Sequence, residues 1–112
     1  MKKIEAIIRK SKYDEVKEAL HAKGVDFFTY WDVSGIGNEE SGLTYRGIKY
    51  STYDIARRVL SIVVEDSKVD SVVETLLSSA RTGEVGDGKI FISNIEKAYR
   101  VRNSDVDGGA LS

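Results

Sequence analysis

The sequence has no cysteine and no proline, a single histidine and a single tryptophan. Without cysteine there is no disulfide, no thiol nucleophile and no thiolate metal site. His21 alone cannot build a histidine-rich metal centre. Without proline, every turn has to be made by Gly, Asn, Asp or Ser. An excess of one charge is also missing. The formal net charge is −1, so nothing marks the chain as a non-specific nucleic-acid binder. No apolar run approaches the roughly 20 residues that a membrane-spanning helix needs. The opening MKKIEAIIRK carries charges but no uninterrupted apolar stretch, so no signal peptide is expected. A cytoplasmic protein that meets a membrane only through a partner is the simplest expectation.

What is present suffices for one core. The 112 residues suit a single domain over 1–112, and 41% hydrophobic with 31% charged residues is ordinary for a globular chain. A domain of this size buries roughly two-thirds of the surface of its unfolded chain.

An internal repeat sets the architecture. IEAIIRKSKYDEVKEAL (4–20) and LSIVVEDSKVDSVVETL (60–76) align without a gap, with Ser11/Ser67, Lys12/Lys68, Asp14/Asp70, Val16/Val72, Glu18/Glu74 and Leu20/Leu76 identical. Each unit opens with alternation, Ile4, Ala6 and Ile8 in one and Leu60, Ile62 and Val64 in the other, which predicts a strand. Each then turns helical. Val69, Val72, Val73, Leu76, Leu77 and Ala80 follow helical spacing, and Tyr13, Val16 and Leu20 give a narrower stripe. Ser11 and Ser67 are placed as N-caps, with Asp14 and Asp70 imitating a capping box, and Gly24 is a natural helix stop.

A further strand is expected after each helix, over 25–34 and over 89–103, the latter breaking near Asn94 into a very short strand and a longer one. The order βαββαβ predicts an α+β, ferredoxin-like sandwich. With both helices on one sheet face, the other needs a cover. The aromatics of 27–31 would supply apolar area there, which suggests self-association.

Two stretches exceed what such a fold needs. GIGNEESGLTYRGIKYSTYDIAR (35–57) is long, polar and without sustained period, and connections of that length are usually functional or disordered. RTGEVGDGKIF (81–91) sets Gly83, Gly86 and Gly88 before Lys89. Glycines let backbone N–H groups share one concavity, which favours anions, and Lys89 adds a point charge. Arg100 and Arg102 stand two apart on an expected strand, so both would face one side, and their planar forks suit phosphate oxygens. Plainer readings stand beside these. The glycines can merely shape a turn, the arginines can form a solvated edge, His21 can be a surface helix residue, and Phe28 and Trp31 can be packing residues.

Taken together, MKKIEAII, the GIG that opens the insertion, YRG followed by a tyrosine, TGEVGDGKIF and YRVRN resemble the PII signal-transduction proteins over nearly the whole chain. The resemblance implies a homotrimer that binds ATP or ADP in clefts between subunits. It assigns 81–89 as a phosphate-binding loop, 35–57 as a regulatory loop and 100–112 as a C-terminal segment. Gly86, Asp87, Gly88, Lys89, Arg100 and Arg102 would line the cleft. Gly35 and Gly37 would approach the phosphates by backbone, and Ile7 and Val63 would flank the base.

Departures accompany the match. The glutamine and lysine that contact 2-oxoglutarate in the family are replaced by Glu39 and Arg57, Ala56 stands for a proline, and the loop is one residue shorter. Glu39 would have to ligate Mg²⁺ to accept a dicarboxylate. Tyr45, Arg46, Gly47 and Tyr50 correspond to the partner-docking part of the loop, with Arg46 at its tip and Tyr50 at the position some members have uridylylated.

The expected function is therefore a non-enzymatic sensor whose loop regulates an ammonium transporter or a nitrogen-metabolism enzyme. One alternative is a sensor of ADP or AMP with bicarbonate or another small anion. Two lower-ranked alternatives are a weak nucleotide hydrolase, with Asp87 or Glu39 as base, and a structural trimeric scaffold.

Overall fold

The repeat reappears as two strand–turn–helix units in the computed structural model, which describes residues 1–37, 44–45, 48–49 and 53–112. Strand β1 (Lys2–Ile8) leads through a short 3₁₀ turn at Lys10–Lys12 into helix α1 (Tyr13–Ala22). After β2 (Thr29–Gly37), two short strands, β3 (Thr44–Tyr45) and β4 (Ile48–Lys49), pair with each other. Then β5 (Tyr53–Val64) leads through a matching turn at Asp66–Lys68 into α2 (Val69–Ala80), and β6 (Lys89–Asn94) follows. β1 and β5 run antiparallel at the centre, where Glu5 faces Ser61, its own counterpart in the repeat. The four-stranded order is β2-β5-β1-β6, the ferredoxin-like arrangement.

Alternation decides which face is buried. Ile4, Ala6 and Ile8 of β1 and Leu60, Ile62 and Val64 of β5 point under the helices. There they meet Val16 and Leu20 of α1 and Val72, Leu76 and Ala80 of α2. Leu77, which follows the same helical spacing, is instead 45% exposed. Among the described residues no helix is long and apolar enough to cross a membrane.

Helix ends follow the expectation at one terminus and depart from it at the other. Gly24 has φ +81°; its N–H donates to the His21 carbonyl at 2.9 Å, and that of Val25 to Leu20 at 2.9 Å. This bond pair ends α1 in a Schellman motif, for which the left-handed glycine is suited. Ser11 and Ser67, by contrast, are not N-caps. Both lie inside the 3₁₀ turns, and the cap positions are Lys12 and Lys68, with no side-chain cap bond. The physical reason is that the preceding turn already supplies backbone carbonyls. Arg9 accepts from Lys12 and Glu65 from Lys68, each at 3.0 Å.

Three boundaries differ from the sequence reading. The second strand begins at Thr29, not residue 25, and runs on to Gly37. Both ends of the 35–57 insertion are thereby regular: Gly35, Ile36 and Gly37 pair with Ile55, Asp54 and Tyr53. Polar, glycine-containing sequence hid this extension, which is held by ladder bonds and not by an apolar face. In 89–103 the expected break at Asn94 is present, but a strand of six residues precedes it and no longer strand follows, only an isolated bridge, Tyr99 to Val106. Arg100 and Arg102 are therefore not two residues of one strand, because the chain turns at 101–103.

The sheet face away from the helices carries Ile7, Trp31, Val33, Val59, Val63 and Phe91, as the pairing register places them. Trp31 and Phe91 are 44% and 51% exposed. The aromatic segment 27–31 does not cover this face as a block. Tyr30 points to the helix side, its ring 4.8 Å from that of Tyr13, and Phe28 packs against the core.

Candidate functional site

The glycine loop bends because three of its residues take left-handed backbone angles: Gly83 at φ +88°, Gly86 at +100° and Gly88 at +103°. Gly88 has a second constraint. A Cβ there would lie 1.7 Å from the carbonyl oxygen of Ile7. No side chain fits that gap, so the loop sits directly on β1.

Asp87 organises the loop from inside. Its carboxylate accepts from the amides of Thr82 and Gly83, each at 2.9 Å, from the Thr82 hydroxyl, and from Arg9 Nε at 3.1 Å. Burial works against its charge. The Thr82 hydroxyl and amide, Arg9 and the Gly83 amide outweigh that cost and hold the carboxyl far below the usual carboxylate range. Asp87 therefore shapes the loop, and a group so acidic is a poor general base near neutral pH.

Two arginines hold the loop from outside. Arg9 Nη2 donates to the Val85 carbonyl at 3.0 Å. Arg57 donates twice to the Gly86 carbonyl, from Nη2 at 2.7 Å and Nε at 3.1 Å, and once to the Ala56 carbonyl at 2.8 Å. In a trans peptide the N–H points opposite to the C=O. With the Val85 and Gly86 carbonyls turned toward arginines, the amides of Gly86 and Asp87 point the other way, and neither makes a hydrogen bond among the described residues.

These elements line one groove of about 630 Å³, bounded by Ile7, Gly35, Gly37, Arg57, Gly86, Asp87, Gly88 and Lys89, with Phe91 and Ile55 as apolar walls. Lys89 is exposed, and its side chain has no hydrogen bond or ion pair among the described residues. An apolar wall beside backbone amides and a lone ammonium suits a flat ring that carries an anionic tail.

The remaining predicted residues lie elsewhere on the chain. Val63 lines a separate hollow with Phe27, Phe28, Thr29, Tyr99 and Leu111. Arg100 is engaged within the C-terminal segment, donating from Nη1 to Asp105 at 2.7 Å and from Nη2 to the Ser112 carbonyl at 2.5 Å. Arg102 is exposed in the turn, without a hydrogen bond or ion pair among the described residues. One chain thus brings together Ile7, Gly35, Gly37 and 86–89 but leaves Val63, Arg100 and Arg102 outside that groove. Glu39, Arg46, Gly47 and Tyr50 lie outside the described residues, and of Tyr45 only the pairing with Ile48 is described.

Arg9 was missed in the sequence reading. It follows the last core residue of β1, and only its distant partners, Val85 and Asp87, reveal its role. His21 behaves as a surface residue, paired with Asp26 at the end of α1.

Comparison with known proteins matches residues 1–105 to the family described as "Nitrogen regulatory protein P-II". Proteins of that name from Pyropia yezoensis and from a Synechocystis species are 46% and 45% identical to this chain. One from Azospirillum brasilense is 40% identical. Each match covers 99% of this chain and the full length of the relative.

Proposed function

The chain belongs to the nitrogen regulatory protein P-II family, and on that premise we propose that it is a homotrimeric, cytoplasmic signalling protein that binds ATP or ADP in clefts between subunits. A signalling role in nitrogen regulation follows from the family. The nucleotide, the assembly and the target are the finer reading.

The observation that carries this reading is the groove beside the glycine loop, which Gly86, Asp87 and Lys89 line and where the Gly86 and Asp87 amides are left without a hydrogen bond among the described residues. Phosphate oxygens would be held by those amides and the ammonium, and the base would lie against Ile7. Val63, Arg100 and Arg102 would complete the cleft from a neighbouring subunit. Their separation from the groove in a single chain fits that division. The open sheet face with Trp31 and Phe91 offers the apolar area for assembly.

Occupancy of the cleft would bias the hairpin that leaves Gly37 and returns at Tyr53. That hairpin would regulate an ammonium transporter or a metabolic enzyme through Tyr45, Arg46, Gly47 and Tyr50, with Tyr50 as the candidate modification site. A ligand shifts such an equilibrium only by its differential affinity for the two states.

The second small ligand is the less regular part. Arg57, at the position of the lysine in the family pattern, already donates to Gly86. That engagement favours a compact anion such as bicarbonate over 2-oxoglutarate, unless Glu39 ligates Mg²⁺. A hydrolase reading is weakened by Asp87, whose oxygens are occupied and whose acidity is far from a base's.

Calorimetric titration with ATP, ADP and AMP, each alone and with 2-oxoglutarate or bicarbonate, tests the reading. Saturable binding of at least one nucleotide is expected. Absence of binding for all three would overturn it.

A further inference from the structure

The glycine loop has two outside anchors, and they belong to different parts of the fold. Arg9 sits at the end of β1, whose Ile4, Ala6 and Ile8 are core residues. Arg57 sits on β5 where the hairpin begins to leave the core, since its strand partner Val33 lies four residues before Gly37. The two guanidiniums hold adjacent carbonyls, Val85 and Gly86.

We infer that Arg57 is a positioning residue for the Gly86–Asp87 peptide unit and is the physical link between the groove and the base of the hairpin. The inference rests on the nucleotide reading above and deepens it. Its chemistry is specific. Two parallel donors from one planar guanidinium to one carbonyl fix the rotation of the Gly86–Asp87 peptide unit. Glycine at 86, with φ +100°, has little intrinsic preference to hold that rotation by itself. An anion on the Asp87 amide strengthens the carbonyl dipole at the other end of the same peptide, and with it the bond to Arg57. Strain or motion at Arg57 returns along the same path. Coupling of this kind is reciprocal: a hairpin state that withdraws Arg57 weakens the anion, and the anion opposes that withdrawal.

The test uses the full-length protein and the variants Arg57→Lys and Arg57→Gln. Backbone ¹⁵N relaxation is measured without ligand, and ATP is titrated by calorimetry. Hydrogen exchange of 53–57 is followed with and without ATP. In the parent protein the Gly86 and Asp87 amides are expected to be rigid, with order parameters near about 0.85, and to fall below about 0.6 in Arg57→Gln. The ATP dissociation constant is expected to rise roughly tenfold in Arg57→Gln and less in Arg57→Lys, which keeps the charge but not the fork. The ATP-induced slowing at 53–57 is expected to vanish in both variants.

Rigid loop amides and undiminished transmission to 53–57 in both variants would overturn the inference. If the parent protein does not bind ATP, the nucleotide reading fails on its own. The ligand-free order parameters then still decide the positioning role, with loosened amides supporting it and unchanged amides overturning it. If Arg57→Gln does not fold, Arg57→Lys decides by the same measurements.

Discussion

The glycine loop and the C-terminal segment both carry the residue types of a phosphate site and both turn an arginine inward while leaving another cation exposed, yet only the loop sets that cation in a groove with unbonded backbone amides nearby. Around the loop, Arg9 is held by the Asp87 carboxylate and the Val85 carbonyl and Arg57 by the Gly86 carbonyl, which leaves the ammonium of Lys89 and the unbonded Gly86 and Asp87 amides. In the C-terminal segment, Arg100 is held by Asp105 and Ser112, while Arg102 and the fully exposed Val101 stand at the tip of the turn. A cation in the sequence is thus not yet a cation offered to a ligand. Some arginines build the surface on which another group binds.

The largest expected effect comes from Gly88→Ala. The new methyl would collide with the Ile7 backbone at a left-handed φ, so the loop must leave β1. A loss of about 3 kcal/mol or more in stability or local order is expected, together with loss of nucleotide binding. Urea unfolding and calorimetry check both. An alanine variant of ordinary stability and affinity would show that the close approach is unimportant.

Next in size are Lys89→Ala and Arg102→Ala. Each removes a cation whose side chain makes no hydrogen bond or ion pair among the described residues, so their stability should be nearly unchanged. A charged hydrogen bond contributes about 1.5–3 kcal/mol, so nucleotide affinity should fall roughly tenfold or more in each. Arg100→Ala sharpens the comparison. Its first effect should be on the C-terminal turn, a stability loss under about 1 kcal/mol, seen as faster exchange at 104–107. Unchanged affinity in both Lys89→Ala and Arg102→Ala would remove the proposed cleft.

The smallest effect is proton-linked. Asp87 is held below its unfolded value of about 4, so its contribution is complete above that pH and is lost as pH falls toward the folded value. The stability difference between the parent protein and Asp87→Asn, measured in urea, should therefore shrink between pH 6 and pH 3. A constant difference over that range would mean that the carboxylate charge does not hold the loop.

How much of this was legible depended on whether a feature was local. The repeat, the alternating strands and the Gly24 stop are written in neighbouring residues, and the structure keeps them. The N-caps misled because a 3₁₀ turn, not a side chain, leads into each helix and satisfies the amides at the cap positions Lys12 and Lys68. The strand extension to Gly37 was hidden because polar and glycine residues carry no apolar period. In the site, glycine spacing and Lys89 were visible. The Arg9 and Arg57 clamps were not, because each joins residues far apart in sequence. Arg100 and Arg102 were misplaced for the converse reason, since a two-residue spacing implies a shared face only where the chain stays extended.

The central claim is that one subunit supplies the groove and its neighbour the C-terminal half of the cleft, and mixing variants tests it most directly. Lys89→Ala damages only the groove half and Arg102→Ala only the other. After co-refolding at equal amounts, random assembly should join an intact groove to an intact C-terminal segment in about one cleft in four. Calorimetric titration of the mixture with ATP should then recover a tight class of sites that neither variant shows alone. A mixture that binds no better than its two components, with trimers confirmed by light scattering, would contradict the shared cleft.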